Sequence, residues 1–534
     1  MSAEIHPGID FSDEQQCLRL IDNLPLTKLS QVHESLAVLV GGMQATPPAA
    51  RAYLDVLELA RPSLAFVQDE MAGRYAQTAL PPGSPEEETL RRVVTLWQAM
   101  ARGYAQVAQL GADDPQVQSR LALICQRCVQ YSGKAIVEYF RARRELPRGV
   151  WSDVHGYYAT AEEWNIARVE VADPLNESQR KQSCAQAYAE VLLLDIGNPY
   201  GRTPREFGWL VRWCQRFAPF ADVLEVDPAS SDRTYAVDLL KDRGLLPVEI
   251  LERSEHLRQL ATTRLSAEMH RVLGELKRRT AAGQLGLGED CSEPACSRLL
   301  VSLYRPWCLA ARPRRFQRRT ASGTAQLSYG FEAIHFYVGG EEFVQPQHVR
   351  VYSRQEVDAI WTFRHQIDPT HHLYVRAAQI GYTMENWAVA DESAGGFRLL
   401  RFGTGVRVEH GQLLGLRPPD GERFLLCQVS WLQYLASGAL AVGVYVLPGA
   451  PQTVAARQKG LGFSPSEKYS PAFLLPAMPA LNQEPTVVLP KGWFQRGRVV
   501  EIHTDRRFEV KLIDVVNPGA DFDRVRYAQL KSAV

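Results

Sequence analysis

Asp391-Glu392-Ser393-Ala394-Gly395-Gly396-Phe397-Arg398-Leu399-Leu400-Arg401 sets a turn of acidic, hydroxyl and glycine residues directly before a short apolar run. Asp and Ser side chains bond their own backbone and glycine accepts positive φ, so the first six residues read as a hairpin turn or a ligand-gripping loop. Comparable runs surround it: Gln326 to Val338, Phe424 to Trp431 and Ala439 to Leu447, β-branched or aromatic and divided by glycine turns. That pattern predicts an antiparallel barrel or sandwich. Beyond it, Pro448, Pro451, Pro465, Pro471, Pro476, Pro479, Pro485 and Pro490 suggest an extended connector, and Trp493 to Ile513 a further β segment.

The first half has the helical period instead. Ser84-Pro85-Glu86-Glu87 offers Ser84 as N-cap before Leu90, Val93, Trp97, Met100 and Tyr104, and Thr203-Pro204-Arg205-Glu206 repeats the signal before Phe207, Leu210 and Cys214. Trp151, Val154, Tyr158, Ala161 and Trp164 form another amphipathic stretch, tetratricopeptide-like at most, since no repeat of that length emerges. Residues 222–252 break the pattern as a small non-helical insertion. At about 100 to 200 residues per domain, two to four domains are expected. The expected fold class is a multidomain α+β chain: an all-α array or bundle over 1–285, a Gly/Ser/Pro linker over 286–310, a β-barrel with an insertion over 311–448, a proline-rich connector over 449–490 and a β extension over 491–534.

Lys+Arg and Asp+Glu both total 60, so nothing global favours nucleic acid or membrane. The start lacks a charged-then-apolar leader and no apolar run is long enough for a membrane span, so a soluble cytoplasmic protein is expected. The nine cysteines suit reduced thiols better than a disulfide framework. Cys125 and Cys128 lack a second pair, Cys291 and Cys296 complement them poorly, and His371-His372 has no carboxylate at ligand spacing, so no metal is expected. Phosphate-loop, nucleophile-elbow and dinucleotide fingerprints are missing, which supports neither an enzyme nor a cofactor.

Against this neutral background, residues 294–331 hold seven arginines and no acid, densest at Arg314-Arg315-Phe316-Gln317-Arg318-Arg319. A guanidinium grips phosphate with paired donors and stacks on a base with its flat face, and an acidic side chain can accept from a guanine edge. Arg315-x-x-x-Arg319, or Arg314-x-x-x-Arg318, followed by Asp391-x-Ser393-x-x-Gly396 resembles the PilZ family of cyclic-di-GMP receptors. Cys427-Gln428-Val429-Ser430-Trp431 and Val442-Gly443-Val444-Tyr445-Val446 stand where that family has its later strands. The resemblance implies a six-stranded barrel over roughly 311–448, with Arg314, Arg315, Arg318, Arg319, Asp391, Ser393 and Gly396 as ligand residues and cyclic-di-GMP as ligand. Arg319 and Asp391 are 72 positions apart, so an insertion around Gly340 to Gly381 is required. Trp387, just upstream, suits either a ligand-side or a core position.

The leading expectation is therefore a cyclic-di-GMP effector whose helical half contacts an unidentified protein partner. A scaffold with a ligand-free, degenerate barrel is the first alternative. A nucleic-acid binder using the arginine segment is the second; it is disfavoured by the balanced charge.

Overall fold

The computed structural model describes residues 9–76, 78–176, 179–226, 235–309, 318–346, 375–459 and 468–530. The chain divides into two compact units, Met1–Thr78 with Pro82–Pro313, and Ala79–Pro81 with Arg314–Val534. No helix among the described residues is long and apolar enough to cross a membrane.

Helices of the first unit start where the cap chemistry dictates. Thr203 Oγ1 accepts from Glu206 N at 3.2 Å and Glu206 Oε2 accepts from Thr203 N at 3.0 Å, opening the helix Pro204–Phe217. The helix Ser84–Leu110 begins one residue earlier than expected: Gly83 is its cap, its N–H donating to Glu86 Oε2 at 2.6 Å, and Ser84 is already helical. Apolar stripes gather into one core around Leu57, Met100 and Tyr104 and another around Tyr158, Tyr188 and Trp213. The strands Asp222–Glu225, Tyr235–Asp238, Leu246–Pro247 and Leu257–Ala261 form a four-stranded antiparallel sheet, so the helical pattern is interrupted there as expected. Asp242, from a turn of this insertion, accepts from the backbone N–H of Gly149, Trp151 and Ser152 at 2.6, 3.0 and 3.1 Å, capping the helix Val150–Glu163 from outside.

Two expectations fail here. The presumed linker contains the helix Glu293–Cys308, whose Cys296, Leu299, Leu300, Leu303 and Trp307 are buried in the second core. Gly286, Gly288 and Ser292 precede the helix and Pro294 stands in its first turn, where proline is favoured, while Ser297, Ser302 and Pro306 lie within it. Cys291 and Cys296 are joined as a disulfide with Cα atoms 5.7 Å apart, whereas the other seven cysteines are free.

Buried Arg61, Arg127 and Asp173, with the partly exposed Glu58, tie the first unit together. Asp173 accepts from Arg61 Nη2 at 2.5 Å and from Gln130 Nε2 at 2.7 Å, and Glu58 accepts from Arg127 Nε at 2.9 Å. Arg127 also donates to Ala172 O at 3.0 Å. Two guanidiniums in one apolar setting are tolerable only while both carboxylates remain.

The second unit holds two barrels. In the first, Gly396–Arg401, Leu440–Val446, Leu425–Tyr434, Leu413–Arg417, Thr324–Tyr329 and Met384–Ser393 pair in that order, and the ring closes because Met384–Ser393 also pairs with Gly396–Arg401. The short strand Arg319–Thr320 adds to the outer edge of Met384–Ser393. The second barrel orders Gln452–Gln458, Ser470–Leu475, Thr486–Pro490, Phe522–Gln529, Arg507–Pro518 and Val499–His503. The supposed connector thus supplies three barrel strands; its described prolines sit at strand ends, in turns or, for Pro479, in a short 3-10 helix, and Pro471 lies within the strand Ser470–Leu475. The run Gln326 to Val338 is also not one strand: Gly330, at φ +82°, separates Thr324–Tyr329 from the helix Phe331–Gly339.

Alternation along the strands sorts the cores. Leu414, Leu416, Val429 and Val442 fill the first lumen, and Val487, Val500 and Val525 the second. Leu413, Leu426, Phe473, Val488 and Phe522 point the other way and pack together as an apolar joint between the barrels. Leu413 N donates to Asp521 Oδ1 at 2.8 Å and Ala520 N to Gly411 O at 2.9 Å, so the joint has polar fasteners too.

Replacing Asp173 with alanine leaves Arg61 and Arg127 short of acceptors and is expected to cost about 3–5 kcal/mol in denaturant unfolding of the first unit. Burial holds the imidazoles of His33 and His335 at about 4, below their ordinary 6.5. These rings are neutral when folded and take up protons on unfolding, so the stability they confer is complete above pH 6.5 and declines as pH falls toward 4. Thermal melts followed by circular dichroism should show this loss, and His33→Gln should flatten it.

Candidate functional site

The hairpin of Thr324–Tyr329 and Met384–Ser393 decides whether the arginine arm and the Asp391 turn can meet. Its rungs run from Ser328↔Met384 at one end to Thr324↔Ala388, and the ladder continues through Thr320↔Asp391 to Arg319↔Glu392. The inserted residues 330–383 leave from the Ser328 end, opposite to the motif. Seventy-two positions of sequence therefore collapse to adjacent strands, about 4.8 Å apart.

A β-bulge then turns the acidic motif outward. Trp387 and Val389 face the lumen, so strict alternation would send Asp391 there as well. Instead the pairing steps from Leu399↔Val389 to Arg398↔Asp391, leaving Ala390 as the extra residue. Asp391 and Ser393 thereby join the outer face with Arg398 and Gly396. Arg318 forms an ion pair with Asp391, and both side chains remain partly exposed. Ser393 Oγ donates to Gly396 O at 3.3 Å, closing its own turn.

Glycine is obligatory at two points on this face. A Cβ on Gly396 would lie 1.9 Å from Val444 O, and one on Gly443 would lie 1.9 Å from Trp431 Nε1. The barrel wall consequently presents two parallel rows across its strands: Asp391, Arg398, Gly443 and Trp431 in one, Ser393, Gly396, Tyr445 and Gln428 in the next. The indole of Trp431 lies across Gly443, half-buried, and the buried Nε of Arg398 meets no hydrogen-bond partner among the described residues. The face thus offers carboxylate, hydroxyl, guanidinium and a flat ring within a few strand spacings.

The structure brings Arg318 against Asp391, with Ser393 and Gly396 on the same face, whereas Arg319 is paired with Glu392 and so shares the parity of Phe397 on the opposite face. Arg314 and Arg315, like His371, His372 and Pro465, lie outside the described residues. Trp387 belongs to the lumen: it is fully buried, its Nε1 donating at 3.1 Å to Glu385, which also accepts from Arg401 Nη1 and Tyr329 Oη, both at 2.8 Å. Arg398 was not singled out by sequence, although its outward parity between Phe397 and Leu399 carried the signal. Trp431 was legible only as a strand residue.

Gly396→Ala is expected to lower the stability of the first barrel by about 1–3 kcal/mol, because the added methyl meets backbone rather than a movable side chain. Chemical denaturation followed by tryptophan fluorescence checks this.

A family model described as the N-terminal domain of the cyclic-di-GMP receptor FimW matches residues 15–229. A second, described as the FimW C-terminal beta-barrel domain, matches residues 454–530, which is the second barrel. The chain is 23% identical over 496 residues to the cyclic-di-GMP receptor FimW of Pseudomonas aeruginosa, a match spanning 85% of this chain and 80% of that protein. These matches at both ends of the chain, with similarity through most of its length, support its kinship with a family of cyclic-di-GMP receptors.

Proposed function

We propose that the chain is a cytoplasmic cyclic-di-GMP effector, a receptor rather than a catalyst, with its ligand face on the outer wall of a PilZ-type first barrel. The observation that carries this is the two-rung pairing of Arg319–Thr320 with Asp391–Glu392, with Arg318 ion-paired to Asp391, which brings the described end of the arginine segment to the acidic turn. Arg318 and Arg319, with Arg314 and Arg315 before them, supply phosphate-binding forks. Asp391 accepts from the N1 and N2 edge of guanine, and Gly396 keeps the wall flat enough for close approach. Arg398 adds a donor from the wall itself, and the Trp431 ring a surface on which a base can rest. Without ligand, Arg318 is neutralised by Asp391; binding exchanges that pair for phosphate and base contacts.

Nucleotide binding in this proposal is coupled to a protein partner of the helical unit through a shift in conformer populations. Its size is limited by the difference in ligand affinity between the conformers. The ligand-free scaffold is disfavoured by the assembled motif. The RNA or DNA binder is disfavoured because Arg318 is already matched by an acid.

Titration calorimetry tests the reading. The wild-type chain should bind cyclic-di-GMP, and Arg319→Ala or Asp391→Ala should each weaken binding by tenfold or more, about 1.4 kcal/mol or above. Equal affinity in both variants would remove these residues from the site, and no binding by a folded wild type would favour the scaffold.

A further inference from the structure

Arg524, in the strand Phe522–Gln529, is 1% exposed, yet among the described residues no carboxylate bonds to it. Its guanidinium donates only to neutral oxygens: Nε to Thr486 Oγ1 at 2.8 Å, Nη1 to Asn517 Oδ1 at 3.1 Å and Nη2 to Gln483 Oε1 at 2.8 Å. The acids on its own and the neighbouring strands and turns are engaged elsewhere. Arg526 holds Asp514 and Glu484 at 2.8 Å, Lys491 holds Asp523 at 2.9 Å, and Asp521 accepts from Leu413 N. Removing one charge from water without a partner is costly, and arginine does not escape the cost by losing its proton. A structural peg would be cheaper as a neutral residue.

Its position suggests a use for the charge. Val525 faces the lumen while Phe522 packs in the joint, so Arg524, in register with the joint residue Val488, stands on the joint side, where Tyr445 also packs. Tyr445 is paired with Gly396 on one side and with Gln428 on the other. Gln428 Nε2 in turn donates to Pro518 O at 3.0 Å, next to Asn517, one of the Arg524 acceptors. The row that starts at Ser393 therefore ends on the second barrel, about 15 Å away at three strand spacings.

We propose that Arg524 is an electrostatic positioning residue for the nucleotide face: a cation kept without a carboxylate in the joint, whose field favours a dianionic ligand on the adjoining wall. This rests on the nucleotide-binding reading above. The residue touches no ligand atom; it acts through the low-dielectric joint, where its charge is poorly screened.

Asn517→Asp tests this in the full-length chain, because it gives the guanidinium a carboxylate while keeping the hydrogen bond. The expected result is an equal or higher melting temperature, cyclic-di-GMP binding weakened by about three- to tenfold and a shallower dependence of affinity on salt. Thr504→Asp, the same charge change on an exposed hairpin tip, should leave affinity unaltered. A purely structural Arg524 predicts the gain in stability with wild-type affinity and salt dependence, and that result overturns the proposal. Should Asn517→Asp not fold, Gln483→Glu offers the carboxylate from another side with the same expectation. If the wild type binds no cyclic-di-GMP, the reading of the site fails first and this inference with it.

Discussion

The antiparallel register of Thr324–Tyr329 against Met384–Ser393 is the constraint on which the rest of the second unit depends. It closes the first barrel and brings two distant motifs to one end. It also sends the long insertion out at the other end. Chain length between paired strands costs little free energy, since closure entropy grows only logarithmically. A large insertion is therefore compatible with an undisturbed motif, provided that it leaves from the end remote from it.

Given that register, local features decide what the wall displays. The extra residue Ala390 turns Asp391 away from the lumen, and glycines at 396 and 443 make room for Val444 O and Trp431. The polar cluster of Glu385, Arg401, Tyr329 and Trp387 secures the opposite end of the lumen, so the Asp391 end can stay exposed without loosening the ring. The apolar joint of Leu413, Leu426, Phe473 and Phe522 then places the second barrel beside the same wall. Each step follows from strand alternation and from the residues that interrupt it.

Much of this was legible in the residues themselves. The Thr203 cap, the helical stripes and the change of period in the second half can all be read from spacing and side-chain chemistry. What misled was composition. Pro294 and its neighbours suggested a linker, although proline is at home in the first turn of a helix. The prolines after Pro448 suggested a connector, although most of the described ones mark strand ends and turns of a barrel. Phe331–Gly339 is aromatic and apolar enough to pass for a strand, and only Gly330 signals the break. The roles proposed for Arg398 and Arg524 depend on which face of a strand is outward and on which acids are already taken, and neither is visible before the register is known.

The central claim is that one wall of the first barrel, built by the Arg319–Glu392 pairing, takes up the nucleotide. Amide hydrogen exchange with and without cyclic-di-GMP addresses it most directly. The account predicts slowed exchange in residues 318–320, 391–396 and 441–445. Saturating nucleotide that protects other segments while leaving these three unchanged would contradict it.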